Sequence, residues 1–330
     1  MILYEGNYSA FFSRIGKLPG FLLTVSILGL IGPFGGIPRC ITISFSTLDA
    51  FEIESLKWMN LSIFSAFACL LLFLFTYRPR RILSLLGYVL TPILLLSLAL
   101  IVTKGLFSMP KADPSLNTGW EIFSKGLLEG YNTLDLLAAF FFSSVVLLCL
   151  RKNQDEGCLS TKKRMLKTAI WGSVIAALLL SLVYVCFSFL AAGYSKELSA
   201  VASDHLLGTL AFKLLGPYAG LVATIAVCFA CFTTMVALTA VFAGFLQKTL
   251  FKEKISYTAA LGITLFFSFL VSTLHFSGIS SFLVPIAQVC YPALIALSIL
   301  NILHKIYGVK PVKRYFYGVL AITFITYLVR

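Results

Sequence analysis

Long apolar runs alternate with short polar stretches along the whole chain. The runs fall at about 18–43, 61–77, 82–103, 127–150, 168–192, 218–246, 256–275, 280–303 and 315–329. Most of them reach about the 20 residues that a helix needs to cross the hydrocarbon core of a bilayer. The pattern predicts an all-α polytopic membrane protein with about nine transmembrane helices. No loop is long or varied enough for a soluble domain, so residues 1–330 read as a single transmembrane domain with the lipid bilayer as its surroundings. The two longest loops on one side are about 104–126 and 193–217. In the second, Leu206, Leu207, Leu210, Leu214 and Leu215 recur at helical spacing and predict an amphipathic helix lying on the membrane surface. The first residues, to about Lys17, read as a polar lead-in. They lack the charge, apolar core and small-residue order of a cleaved signal peptide.

Composition agrees with the pattern. The chain is 59% hydrophobic and 12% charged, with a mean hydropathy of +0.96. An ordinary soluble domain carries about twice that charged fraction. The net charge of +13 would suit a phosphate backbone, but the Lys and Arg residues sit in short clusters between apolar runs, which excludes a nucleic-acid surface and marks topology instead. With the loops allotted alternately to two sides, most of the 26 basic residues fall on one side: Arg14 and Lys17; Arg78, Arg80 and Arg81; Arg151 to Lys167; Lys248 to Lys254; and Lys305 to Arg314. Cytoplasmic loops carry the Lys and Arg excess, which puts the N-terminus in the cytoplasm. Of the eight cysteines, Cys228 and Cys231 form a CxxC with no second pair or histidines nearby, and read as small packing residues. With no phosphate-binding loop, HExxH or GxSxG, the chain is not read as an enzyme, and no cofactor is expected.

Four polar places interrupt the apolar runs. In "GPFGGIPRC", residues 32–40, Pro33 and Pro38 remove backbone donors while Gly35 and Gly36 loosen the helix, and Arg39 follows near the outer end of its span. A charge at membrane depth faces a cavity or a partner, or snorkels to the headgroups. In "GLLEGYNTLDLLAAF", residues 126–140, Gly130, Asn132 and Thr133 favour an unwound turn or a helix N-cap, with Asp135 just inside the span. Arg39 and Asp135 both fall toward the outer leaflet, where they could form an ion bridge. In "ACFTTMVALT", residues 230–239, Thr233 and Thr234 are adjacent hydroxyls in mid-span, open to two readings: ligands for a sodium ion, or ordinary back-bonding to a carbonyl four residues earlier. In "VPIAQVCYPALIAL", Pro285 and Pro292 bracket Gln288 and Tyr291 and predict a kinked span, for transport or for packing.

In order and spacing, these four stretches resemble the signature runs of the bacterial branched-chain amino acid:cation symporters. The resemblance covers about residue 14 to residue 305. It implies a multi-pass carrier of leucine, isoleucine and valine in the bacterial cytoplasmic membrane, driven by a sodium or proton gradient. The implied fold is a LeuT-like inverted repeat with a truncated first repeat: 18–103 as the remainder of repeat one, 127–303 as repeat two and 315–329 as an extra span. Carried over residue by residue, Gly130, Tyr131, Asn132, Thr133 and Asp135, with Gly35 and Gly36, are candidates for holding an aliphatic amino acid. Ala230, Thr233 and Thr234 are candidates for a coupling Na+, and Pro38, Arg39, Tyr291 and Pro292 for structural or gating roles. The regions around Gly130 and around Thr233 are expected to share one wet chamber. This chain departs from the family pattern at Cys40, Ser46 and Ala293, and in having nothing like the family's first two helices. The alternative is therefore an inactive or accessory polypeptide, completed by a separate chain that carries those helices.

Overall fold

Glycine and proline decide where the long apolar runs break into helices. The computed structural model describes residues 4, 8–50, 59–77, 82–110, 118–152, 159–308 and 312–329, and its elements are helical throughout. They are α1 (Tyr8–Phe12), α2 (Lys17–Ile31), α3 (Gly36–Asp49), α4 (Leu61–Tyr77), α5 (Ile82–Phe107), α6 (Gly119–Tyr131) and α7 (Asp135–Lys152). There follow α8 (Leu159–Gly193), α9 (Ser195–Leu198), α10 (Leu206–Phe245), α11 (Tyr257–Ser272), α12 (His275–Tyr307) and α13 (Val312–Val329). Arg78, Arg80, Arg81 and Lys310 of the basic clusters, and 111–117 of the first long loop, lie outside the described residues.

Among the described residues, four segments are long and apolar enough to cross a membrane: Lys17–Asp49, Leu166–Gly193, Leu206–Leu250 and His275–Tyr307. Shorter apolar helices are Leu61–Tyr77, Pro92–Phe107 and Tyr257–Ser272. The surface of α8 shows what solvent these helices expect. Trp171, Leu178, Leu182 and Phe189 are each about 60% exposed, a row of large apolar side chains suited to lipid rather than water.

Two element boundaries differ from the sequence expectation, and a third falls where the sequence placed one. The run at about 18–43 is two helices, α2 and α3, separated by a turn at Gly32–Gly35. The stretch expected to be a loop before residue 127 contains most of α6, which starts in a capping box: the Glu121 amide donates to the Thr118 hydroxyl, and the Thr118 amide donates to the Glu121 carboxylate. The segment expected as a surface helix and the following span meet in α10 at Gly216, where φ is +77° and the next residue is Pro217. Only glycine takes that φ without strain, and proline supplies no amide to continue the ladder. By contrast, α12 continues through both Pro285 and Pro292.

The chain divides into two compact units. One comprises residues 1–31, 116–177 and 280–330, and the other residues 32–115 and 178–279. In the first, the lead-in is not a polar tail. Phe11, Phe12 and Ile15 are buried, and the rings of Phe11 and Phe12 lie 5.5 and 5.8 Å from that of Phe140 on α7. The buried Asn301 amide on α12 donates to the Phe11 carbonyl at 3.2 Å, and the Tyr317 hydroxyl on α13 donates to the Ile15 carbonyl at 3.0 Å. Gly20 lets the start of α2 fold back against Phe12, since a Cβ there would sit 2.3 Å from the Phe12 carbonyl oxygen.

In the second unit, small and hydroxylated residues form the helix contacts. Ser65, Ala68, Leu72 and Thr76 line the buried stripe of α4, facing a stripe of Ala260, Leu261, Thr264, Leu265 and Ser268 on α11. Small residues let helix backbones approach in lipid, where apolar side chains gain nothing by leaving their surroundings. The Thr264 and Ser268 hydroxyls donate back to the carbonyls of Ala260 and Thr264, so their burial leaves no unmet donor. The end of α3 reaches the start of α10 in the same way. Ser46 donates to the Asp204 carboxylate at 2.6 Å, and Gly208 lies against Thr47 and Ala50. Tyr194, outside the spans, donates to the carbonyls of Gly105 and Ser108 at the end of α5, and burial pushes its phenol up from the ordinary value.

Candidate functional site

The break between α6 and α7 concentrates the candidate polar chemistry of the first unit. The last turn of α6 closes with the Asn132 amide donating to the Glu129 carbonyl and the Asn132 side chain donating to the Glu129 carboxylate at 2.6 Å. Leu134 then takes φ +62°, a left-handed conformation that costs a branched side chain about 1 kcal/mol or more, while its side chain stays buried. Helix resumes at Asp135. The Thr133 hydroxyl bridges the break, 2.9 Å from the Gly130 carbonyl and 2.8 Å from the Asp135 carboxylate. The C-terminal carbonyls of one helix and the N-terminal amides of the next thus end within three residues of each other. Such a pairing offers a negative pole and a positive pole side by side.

Two candidates far apart in sequence meet here. The rings of Tyr131 and Tyr291 lie 5.1 Å apart at an interplanar angle of 35°. Tyr291 is buried on α12, with Pro292 following it. The kinked-span pattern singled out Tyr291 and the family resemblance singled out Tyr131, but nothing in the sequence joined the two.

In the second unit, the turn at Gly32–Gly35 leads into α3, with Gly35 and Pro38 buried and Gly36 as the first helical residue. Arg39 is half-buried and stacks its guanidinium over the ring of Phe276, 4.9 Å from the centroid. This cation–π contact gives the charge an aromatic neighbour. Asp135, its sequence-expected ion-bridge partner, belongs to the other unit.

The hydroxyls of Thr233 and Thr234 on α10 both donate to the Ala230 carbonyl at 2.9 Å. Back-bonding, the ordinary fate of a membrane threonine, therefore accounts for their protons. Each oxygen keeps lone pairs that a hard cation could use. Thr233 is half-buried and Thr234 exposed. Of the CxxC cysteines, the Cys228 thiol donates to the Ser44 carbonyl on α3 at 3.6 Å, and neither Cys228 nor Cys231 is in a disulfide. Residues around Gly130 and around Thr233 lie in different units.

Sequence reasoning passed over Asn301 and the pairing of Ser46 with Asp204. A lone asparagine inside an apolar run is itself a signal for Asn301, whereas the second pair spans the chain from α3 to the segment before α10 and has no local signature. It also passed over α6, although Thr118 and Glu121 stand at capping-box spacing.

All-helical architecture and several long apolar helices define a polytopic membrane protein. The chain belongs to the branched-chain amino acid transport protein family, which it matches across residues 1–330. It is 29% identical to the branched-chain amino acid permease BrnQ of Bacillus subtilis (strain 168) over 312 residues, covering 92% of this chain and 69% of that protein. It is 28% identical to the permease BraB of the same organism, covering 87% of this chain and 64% of the relative. A putative branched-chain amino acid carrier protein of Staphylococcus haemolyticus (strain JCSC1435) is 27% identical over 330 residues, 94% of this chain and 72% of the relative. No solved structure gives a significant match. The protein is thus a bacterial membrane transport protein and not an enzyme. These similarities do not support a separate partner chain supplying two further helices.

Proposed function

We propose that this protein carries leucine, isoleucine and valine across the bacterial cytoplasmic membrane, coupled to a sodium or proton gradient, with its N-terminus in the cytoplasm. The observation that carries the reading is the broken helix at Asn132–Leu134, with Tyr131 just before it in ring contact with Tyr291 of α12. A free amino acid is a zwitterion, and a helix break offers what a zwitterion needs. The carbonyls that end α6 and the Asp135 carboxylate favour the ammonium, and the amides that begin α7 favour the carboxylate. The aromatic pair supplies an apolar wall for the side chain. A wall of this kind separates aliphatic side chains by only about 1–3 kcal/mol per methylene, so leucine, isoleucine and valine are all accepted.

On α10, the oxygens of Ala230, Thr233 and Thr234 form the proposed ion ligands. Neutral oxygens suit a hard cation and avoid burying a carboxylate. The orientation is supported by the basic clusters, which favour the cytoplasmic side. The test is uptake of radiolabelled leucine into liposomes holding the purified chain. Accumulation under an inward sodium or proton gradient is expected. Leucine that stays outside under either gradient would favour an accessory polypeptide instead.

A further inference from the structure

We propose that the first unit carries a site for an anionic phospholipid, with an acyl chain in the groove between α2, α12 and α13 and the phosphate at Arg14, Lys17, Lys313 and Arg314. The groove encloses about 260 Å³ and is almost wholly apolar. Leu22 and Leu23 of α2, Ala293 and Leu294 of α12, and Phe316 and Leu320 of α13 form most of its wall. Small residues open it: Cys290 and Ala293 on α12 and Ser26 on α2. Nothing in this wall would hold the two charges of an amino acid. The Tyr317 hydroxyl is already spent on the Ile15 carbonyl. An apolar chain fits, and in this solvent that chain is lipid.

One end of the groove is basic. Ile15 and Pro19 belong to its lining and are flanked by Arg14 and Lys17, while Phe316 and Tyr317 follow Lys313 and Arg314 within one helical turn. The contact of Tyr317 with Ile15 brings these two basic pairs to the same end. Lys17, Lys313 and Arg314 are exposed, and Arg14 is half-buried. The sequence has no Asp or Glu between residues 8 and 31 or between residues 275 and 329, so no carboxylate on these elements offsets the cluster. Helices α2 and α13 both begin here, and the positive ends of their dipoles add to the same field. A basic pocket at the cytoplasmic end of membrane helices is where an anionic headgroup is held. A lipid with one chain along the groove places its phosphate at that level.

Native mass spectrometry of the purified full chain, mixed with phosphatidylglycerol and phosphatidylcholine of identical acyl chains, tests the proposal. The wild type is expected to retain phosphatidylglycerol at least about tenfold over phosphatidylcholine. This preference should fall as salt rises, because the contact is a partly exposed charge cluster. Neutralising R14Q, K17Q, K313Q and R314Q together should bring the two lipids to near parity, and filling the groove with A293L should lower retention of both. Equal retention of the two lipids by the wild type, a preference indifferent to salt, or displacement by inorganic phosphate alone would each overturn it. Those three readings need only the wild-type protein, so the proposal stays testable if a variant does not fold.

Discussion

Tyr131 at the end of α6 and Tyr291 in the middle of α12 hold their rings 5.1 Å apart, tilted by 35°. The contact joins the residue before a helix break to a residue beside an in-helix proline, two positions separated by 160 residues of numbering. It turns two local irregularities into one wall. An aromatic pair of this kind contributes about 0.5–1.5 kcal/mol beyond its burial. A double-mutant cycle with Tyr131→Ala and Tyr291→Ala, read by thermal unfolding in detergent, should show coupling of about 1 kcal/mol. Additive effects would mean that the pair contributes nothing of its own.

Thr133 bridges the break through contacts with Gly130 and Asp135. Replacing it with Val keeps the shape and removes the hydroxyl, leaving the carboxylate to take water in place of that exposed hydrogen bond, a loss of about 0.5–1.5 kcal/mol. We expect Thr133→Val to raise the KM for leucine by about tenfold with little change in folded protein, and Thr133→Ser to restore it. Kinetics of uptake for the three proteins decide between this and a purely structural hydroxyl, for which the KM would not move.

The hydroxyls of Thr233 and Thr234 share one carbonyl as acceptor. If they also serve an ion, Thr233→Val and Thr234→Val should each raise the sodium concentration needed for half-maximal leucine uptake, and the corresponding Ser variants should not. A sodium dependence unchanged in both Val variants would remove α10 from ion coupling. Back-bonding would then be their whole role.

Gly20 and Gly126 make a paired test of the packing. A Cβ at Gly20 would stand 2.3 Å from the Phe12 carbonyl oxygen, while one at Gly126 meets nothing within 4 Å. Gly20→Ala should therefore destabilise by about 1–3 kcal/mol or more, and Gly126→Ala should be neutral or stabilise by up to about 1 kcal/mol. Melting temperatures of the full chain in one detergent give the comparison directly.

Much of this architecture was legible because lipid imposes a simple rule: long apolar runs are helices, and glycine or proline within them marks an interruption. The glycines and prolines of 32–38 marked an irregularity within one expected span rather than its division into two helices, but the break after Tyr131 followed from that rule. So did Gly216–Pro217, in the sense that the surface-helix pattern ended and the span began on either side of it. What remained hidden depends on distance in sequence. Nothing local pairs Tyr131 with Tyr291, Ser46 with Asp204 or Asn301 with the Phe11 carbonyl, because each contact is made by helices that the pattern can place only one at a time. Phe11 and Phe12 misled for the opposite reason. They sit in a run too short and too mixed to read as apolar, yet they are buried because α7, α12 and α13 gather around them.

The most direct test of the central claim, that this chain moves branched-chain amino acids by coupling them to an ion gradient, is time-resolved uptake of radiolabelled leucine by liposomes containing the purified protein under an inward sodium gradient, with a proton gradient run in parallel. The predicted result is accumulation above the outside concentration that collapses when the driving gradient is dissipated and is competed by isoleucine and valine. Counts equal to those of protein-free liposomes under both gradients would contradict it.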